Sequence, residues 1–338
     1  MRVYKCLHTN RFQFGDFYIE PIRHEDRLEI MTIRNEQLYH LRQAKPLTIE
    51  DQDNYFNTVV DALFNQEKPS QLLFSFFEKD EFIGYGGLVH INWIDKNAEI
   101  SFVMKTALEK KNFSKYWSNY LKLIEQLAFN DLNFHKIFTY AFDLRPHLYE
   151  VLESCQFNEE ARLKEHCFFE GSFLDVVYHS KINTNISFRK PTANDLKLYF
   201  DWANDKNVRM NSYQSNEISL EQHSQWFLNK LNDDSCFMYL FENHIGNPIG
   251  QVRIQKQNEQ EAIIGISNDE KHRGKGYATK MLIAATENFL NENSSCLVNA
   301  FIKVENTASE KAFQKAGFKL TEIVNYEGFS SFHYIISK

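Results

Sequence analysis

The strongest constraint on the fold is that the sequence repeats itself. Residues 47–56, LTIEDQDNYF, and residues 218–227, ISLEQHSQWF, share one order. Each has a hydroxyl residue able to cap a helix (Thr48, Ser219), an acidic first turn and an aromatic pair, Tyr55-Phe56 or Trp226-Phe227. Further matches keep the same order along the chain: Arg34-Asn35-Glu36 with Ala203-Asn204-Asp205, Ile83-Gly84 with Ile249-Gly250, and Ala98 to Phe102 with Ala262 to Ile266. Each half then carries an apolar helical stretch (Tyr120 to Phe129, Met281 to Leu290) and a strand-like run (Ile137 to Phe142, Cys296 to Val304). A short helix follows, ending at Phe157 or Phe318. Matches in one order, with slowly drifting offsets, argue for a duplicated unit. The polar stretch from Lys181 to Asn185 precedes a new strand at Ile186 to Lys190 and sets the boundary, giving one domain over 1–181 and a second over 186–338.

The 338 residues suffice for two domains, and a hydrophobic content of 43% supplies each with an ordinary core. The formal charge of −7 provides no basic excess for nucleic acid or a membrane surface. No apolar run reaches about 18 residues and no secretory leader pattern opens the chain. The cysteines (Cys6, Cys155, Cys167, Cys236, Cys296) are odd in number and none sits at C-x-x-C spacing. Neither a disulfide framework nor a metal site is expected, and the cytoplasm is the expected compartment.

In the second half, turn residues Asn243, Gly246, Asn247 and Pro248 join strands at Cys236–Glu242 and Ile249–Gln255. Ala262–Ser267 reads as another strand, and Gly276–Asn291 as a helix with an apolar face at Ala278, Met281, Leu282, Ala285 and Phe289. Hairpin strands followed by a strand–helix–strand unit predict an α/β fold of the α+β type. Each half would be a mixed, mostly antiparallel sheet flanked by helices. Between strand and helix lies Lys271-His272-Arg273-Gly274-Lys275-Gly276-Tyr277-Ala278. Its glycines let the backbone turn tightly and approach a ligand, the following helix N-terminus attracts an anion, and Arg273 and Lys275 add positive charge. This is a phosphate cradle, distinct from the Walker loop and from the three-glycine dinucleotide fingerprint. A second segment follows the next strand: Asn306-Thr307-Ala308-Ser309, Phe313 and Ala316-Gly317-Phe318.

Together these segments resemble the GCN5-related N-acetyltransferase (GNAT) superfamily over about residues 186–338. Arg273-x-x-Gly276-x-Ala278 matches its pyrophosphate loop, and Asn306 to Gly317-Phe318 its following strand–helix motif. A narrower likeness is to acetyltransferases acting on amino sugars of nucleotide-sugar pathways. It is carried by Trp202-Ala203-Asn204-Asp205, Val208-Arg209, Ile218-Ser219, His223, Trp226-Phe227 and Gly250-Gln251-Val252-Arg253. The resemblance implies that acetyl-CoA binds across a splayed strand. Its pantetheine arm would lie on Ile266, Ser267 and Asn268, and its pyrophosphate on Arg273, Gly274, Lys275, Gly276, Tyr277 and Ala278, with Asn306, Ser309 and Phe313 beside the arm. It implies no metal. The acceptor amine must be neutral to attack, so a base is required; His223 is the first candidate and Asp205 the second. Asn204, Arg209, Trp226, Gln251 and Arg253 are expected to face the acceptor, with Arg209 and Arg253 suited to a nucleotide diphosphate. Many members protonate the leaving thiolate with a tyrosine on the last helix; here Phe313 stands at that position, leaving Tyr334 or water.

The first half departs from this pattern. The loop matching 273–278 is Asn112 to Trp117, with Lys115 and Trp117 at the small-residue positions. Arg145 stands for Asn306 and Gln156 for Gly317. The first domain is expected to keep the fold without binding acetyl-CoA in the usual way. Arg34-Asn35-Glu36-Gln37 and Leu41-Arg42-Gln43 are polar clusters able to line a pocket, a solvated helix face being the plainer reading. The expected partner is a small molecule bearing a primary amine. Acetylation of a protein N-terminus or lysine, and non-catalytic acyl-CoA binding, are the competing readings, and the sequence leaves the oligomeric state open.

Overall fold

A computed structural model describes residues 2–41 and 43–338. The chain forms two compact units, one ending at Asn183 and one spanning Thr184–Lys338. The division falls inside the polar stretch that separates the sequence repeats.

The first unit is built on an eight-stranded sheet: β1 (Phe12–Phe14), β2 (Phe17–Pro21), β3 (Leu72–Glu78), β4 (Glu81–Asn92), β5 (Asn97–Met104), β6 (Lys136–Phe142), β7 (Asn158–Phe169) and β8 (Ser172–Ile182). Their spatial order is β1-β2-β3-β4-β5-β6-β8-β7. Its helices are α1 (Arg27–Glu36), α2 (Ile49–Tyr55), α3 (Asp61–Leu63), α4 (Thr106–Glu125) and α5 (Pro146–Ser154). Thr48 begins α2 with a capping box: its hydroxyl accepts the Asp51 N–H, and the Asp51 carboxylate accepts the Thr48 N–H.

The second unit has seven strands: β9 (Ile186–Arg189), β10 (Cys236–Asn243), β11 (Pro248–Lys256), β12 (Glu261–Asn268), β13 (Leu297–Lys303), β14 (Lys319–Tyr326) and β15 (Phe329–Ile336), ordered β14-β15-β13-β12-β11-β10-β9. Its helices are α6 (Leu196–Ala203), α7 (Lys206–Asn211), α8 (Leu220–Leu231), α9 (Tyr277–Glu292) and α10 (Thr307–Lys315). The sequence pattern gave no sign of α7, which Asp205 starts by accepting the Val208 N–H at 3.0 Å. The predicted apolar face of α9 is realised: Met281, Leu282, Ala285 and Phe289 lie in one core with Val252, Ile254, Ile264 and Val298. Each large side chain so buried contributes about 1.5–3 kcal/mol.

Both sheets are thus mixed and mostly antiparallel, with one parallel pair each, and that pair shapes the site. In the second unit β12 pairs with β13 only through Glu261–Ile263 against Leu297–Asn299, whereas β12 stays paired with β11 as far as Asn268. From Ile264 onward one edge of β12 has no strand beside it. The first unit repeats the arrangement: β5 meets β6 only over Asn97–Glu99 and Lys136–Phe138, while remaining on β4 up to Met104. The repeated glycines explain how the diverging strand is held. A Cβ on Gly250 would stand 2.5 Å from the Ser267 carbonyl oxygen and 2.9 Å from Met281 Cε, and one on Gly84 would stand 2.4 Å from the Val103 carbonyl oxygen. Only glycine allows the outer strand to approach so closely.

Gly250→Ala is therefore expected to destabilise the protein by about 1–3 kcal/mol through overpacking against backbone. Calorimetric unfolding checks this, and an unchanged Tm would refute the close-approach argument.

Candidate active site

The end of β12 leads directly into the glycine-flanked turn. Asp269 accepts the Lys271 N–H at 2.9 Å and begins a short 3-10 turn over Glu270–His272. Trp202 of α6 fixes the same carboxylate, donating its indole N–H to Oδ2 at 3.0 Å. The chain then turns through Gly274 and Gly276, whose φ values are 76° and 79°, and Gly276 is the N-cap of α9 without any side-chain cap. A non-glycine residue in that region costs roughly 1–2 kcal/mol. A Cβ at either glycine would meet no atom within 4 Å, so both face open space. The N–H groups starting α9 and the exposed Lys271 and Lys275 therefore offer an uncrowded anion cradle. Tyr277 is buried in the core and Ala278 half-buried.

Arg273 takes a different part from the expected one. Its guanidinium donates to Asp205 Oδ1 at 2.6 Å and to the Asn268 carbonyl at 3.2 Å, tying the cradle to the start of α7. Burial alone would raise the Asp205 pKa, but the Arg273 and Val208 donors outweigh it and hold the carboxyl below its usual value. Asp205 is thus engaged as cap and ion-pair partner and is not available as a base.

On the free edge, Ile266, Ser267 and Asn268 are half-buried. The Asn268 Oδ1 is buried without a partner, as is the Gln251 Oε1, while the Gln251 amide donates to Ser267 Oγ at 3.1 Å. Asn306 caps α10, accepting the Ser309 N–H at 3.1 Å. Phe313 is only 3% exposed and packs edge-on to Phe318, so it belongs to the core and does not line the cleft. Tyr334 is likewise buried, and its hydroxyl accepts a hydrogen bond from the Gln314 amide at 2.8 Å.

The acceptor candidates gather on α8 and β11. His223 is buried among Phe200, Trp226 and Phe227, with ring centroids 5.5–6.1 Å away, and its Nδ1 has no partner. Burial, then the Arg209 charge, lowers its pKa, so the imidazole is neutral at pH 7. The Arg253 guanidinium lies 5.1 Å from the centre of the Trp226 ring. It is paired in register with Gly265, which presents no side chain to cover it. Arg209 donates to the Gln214 and Asn216 carbonyls and to Ser212 Oγ, at 3.0–3.3 Å, tying down the loop after α7. Asn204 uses both ends of its carboxamide on the Ile218 backbone, each at 2.9 Å, and acts as a clasp that fixes this segment. Sequence reasoning missed Lys303, a buried ammonium that donates to the Met210 and Ser212 carbonyls and lies 3.9 Å from the Phe329 ring centre. None of Arg209, Arg253 and Lys303 has a carboxylate partner among the described residues.

The matching region of the first unit is built differently. Residues 112–117 are no loop: α4 runs from Thr106 to Glu125, interrupted only by the non-helical Asn112. Phe113 and Trp117 are buried there, and the Tyr120 hydroxyl donates to the Ser101 carbonyl at 2.9 Å on the diverging strand. Aromatic rings fill the cradle and a hydroxyl takes a strand carbonyl. Arg42 lies outside the described residues. Among the described residues no helix is long and apolar enough to cross a membrane, and no group of three or more His, Cys, Asp or Glu is placed to hold a metal.

A strand that parts from its parallel neighbour and runs into an uncapped, glycine-flanked helix start defines an acetyltransferase fold. The comparisons agree: residues 19–178 and residues 185–319 each match a family model described as acetyltransferase (GNAT) domain. The chain belongs to the GNAT acetyltransferases, as two tandem domains, and acetyl-CoA is the cofactor of that family. It is 31% identical to spermidine N(1)-acetyltransferase of Vibrio cholerae serotype O1 over 94 residues, 28% of this chain and 53% of that protein. It is 26% identical to an uncharacterized protein of Methanocaldococcus jannaschii over 146 residues, 41% of this chain and 29% of that one. The chain therefore spans about half, or less, of the length of these relatives. Among solved structures, the Vibrio cholerae spermidine N-acetyltransferase in complex with CoA and spermine aligns with 50% of this chain and 96% of its own, at 20% identity and a TM-score of 0.44. The aminoglycoside acetyltransferase AAC(6')-Ib in complex with coenzyme A aligns with 46% and 95%, at 17% identity and a TM-score of 0.41.

Gly276→Val places a branched side chain over the start of α9. Coenzyme A affinity should fall at least about tenfold while stability falls by only roughly 1–2 kcal/mol, the expense of the positive φ. Lys115→Glu, in the first unit, should leave that affinity unchanged. Calorimetric titration with coenzyme A reads both, and equal losses would mean that both units bind it.

Proposed function

We propose that this protein is an acetyl-CoA-dependent N-acetyltransferase that acetylates a primary amine of a small molecule, using the cofactor site of the second unit. The carrying observation is the free edge of β12 opening onto the uncapped N-terminus of α9. That edge suits an extended arm that hydrogen-bonds like a strand, and the cradle beyond it suits a diphosphate. Bound there, acetyl-CoA supplies a thioester whose acetyl carbon an amine can attack, coenzyme A leaving as the thiol. Ile266, Ser267 and Asn268 hold the arm and offer backbone N–H groups to the developing oxyanion. The turn Arg273–Ala278 takes the pyrophosphate, with Arg273 locking the turn from beneath through Asp205. His223, neutral and with Nδ1 unpartnered, accepts the proton given up by the amine. With Phe313 in the core, water protonates the departing sulfur, whose pKa of about 8.5 needs no stronger acid.

The finer reading is an amino sugar linked to a nucleotide. Arg253, half-buried beside Gly265 and within 5.1 Å of the Trp226 ring centre, is a guanidinium without an acid, and Arg209 and Lys303 add to the positive field. Such a face attracts an acceptor carrying a phosphate or carboxylate and disfavours a polycation. The spermidine acetyltransferase likeness supports the small-amine reading over a protein acceptor.

Thiol release should be fastest with a nucleotide-linked amino sugar, ahead of the free amino sugar, spermidine, kanamycin and a peptide amine. Arg253→Gln should raise KM for the nucleotide-linked acceptor about tenfold with kcat little changed, a loss of ground-state binding. Preference for spermidine would overturn the anionic-acceptor reading. His223→Gln should lower kcat by about 10²-fold or more. Because the His223 pKa is depressed, the base stays active as pH falls through 6.5. The acid limb of kcat/KM should lie below that value and vanish in the variant; a limb that persists would exclude His223.

A further inference from the structure

The first unit lost the coenzyme cradle but kept a cavity. Where β5 and β6 part, a cavity of about 180 Å³ remains, walled by Glu99 to Val103 on one strand and Thr139 to Phe142 on the other, the buried Glu99 carboxylate being held by His90 Nδ1 at 2.7 Å. Trp117 of α4 closes one side, and Arg34, His40 and Arg145 line it from α1, the turn after α1, and the start of α5. The volume lies below the roughly 300–1,000 Å³ of a drug-sized pocket, so a small metabolite fits and a coenzyme does not.

We propose that the first unit binds a small oxyanion, a carboxylate or phosphate compound, in this cavity, with Arg34 and Thr139 as its principal contacts. The proposal is independent of the acetyl-transfer reading of the second unit. Three observations carry it. The Thr139 hydroxyl oxygen is buried, lines the cavity and has no hydrogen-bond partner, which leaves a donor and acceptor to be satisfied by a ligand. The Arg34 guanidinium is held by neutral groups, donating to the Tyr85 hydroxyl at 2.6 Å and to Gln43 Oε1 at 2.8 Å. Its charge is positioned by those groups and not neutralised by them. Arg145, although paired with Glu109 at 3.1 Å, adds a second guanidinium at the wall. The field these groups create is visible at His40, whose side chain is 4% exposed: burial first, then the charges of Arg145, Arg34 and His147, push its pKa down to about 3. Burial is the larger cause; the Arg145 and Arg34 charges add to it in the sense expected of a positive field at the wall. Of the two polar clusters singled out in the sequence, Arg34 and Leu41 line this cavity and Asn35, Glu36, Gln37 and Gln43 do not.

The test is calorimetric titration of the full chain, with coenzyme A saturating, using inorganic phosphate in one arm and succinate in the other. Uptake of one equivalent of either anion is expected, and the stronger arm assigns phosphate or carboxylate chemistry. Arg34→Gln should weaken it about tenfold and Thr139→Val about threefold. Arg253→Gln, which removes the anion-attracting guanidinium of the second unit, is the background for every titration, so that the acceptor face does not contribute. No uptake of either anion overturns the proposal, as does uptake indifferent to both cavity variants. Because Arg34 also braces Tyr85 and Gln43, Arg34→Gln could unfold the unit. Thr139→Val breaks no bond and then decides alone, unchanged affinity being the refuting result. Binding of two equivalents of coenzyme A per chain would also overturn it, since the first unit would then be a second cofactor site.

Discussion

The structure depends on two parallel strands that pair for three residues and then separate. A strand edge buried without partners is expensive, because each unpaired backbone group forfeits a hydrogen bond. Both units hold such an edge by the same means. Gly84 and Gly250 bring the preceding strand so close that the diverging strand is fixed along its other side, and a long helix packs across the sheet. In the second unit the bulge between Phe241 and Glu242, opposite the glycine end of β11, adds local twist at the same place. The free edge is a built feature, stabilised from one side and left open on the other.

What fills the opening separates the two units. In the second, small residues and positive φ leave the start of α9 bare. In the first, Phe113, Trp117 and Tyr120 pack with Phe102 and Phe76 into a continuous aromatic cluster, and the Tyr120 hydroxyl satisfies Ser101. Burying those rings stabilises the first unit by several kcal/mol relative to an open cradle. Under the proposed reading, in which the second unit carries the chemistry, filling the first cleft is the expected drift, because open clefts trade stability for function.

Features that act through the local backbone were legible in the sequence. Thr48 and Ser219 do cap helices, Gly274 and Gly276 do take positive φ, and the apolar periodicity of α9 does face the core. Features that depend on where distant segments meet were not. Arg273 and Asp205 lie 68 positions apart, and no spacing rule announces that one holds the other. Asn204 has the composition of an acceptor contact, yet a backbone 14 residues away consumes its carboxamide. Lys303 reads as an ordinary strand-end lysine until β15 and the loop after α7 enclose it. In place of the loop expected at 112–117 there is only a kink at Asn112: with no glycine following it, helical propensity resumes α4 at once.

These charges also bear on the proposed base. Among the described residues no carboxylate pairs with His223, and burial followed by the Arg209 charge weakens it as a proton acceptor. In the proposed reading, an anionic acceptor docked on Arg253 and Arg209 offsets that positive field. The proton affinity of His223 then rises as the acceptor binds, because an added negative charge favours the imidazolium. The base is weak in the free enzyme and strengthens when the amine is in place. A polycationic amine has the opposite effect, deepening the field that keeps His223 from taking a proton. Acceptor choice and base strength are then two consequences of the same uncompensated guanidinium groups.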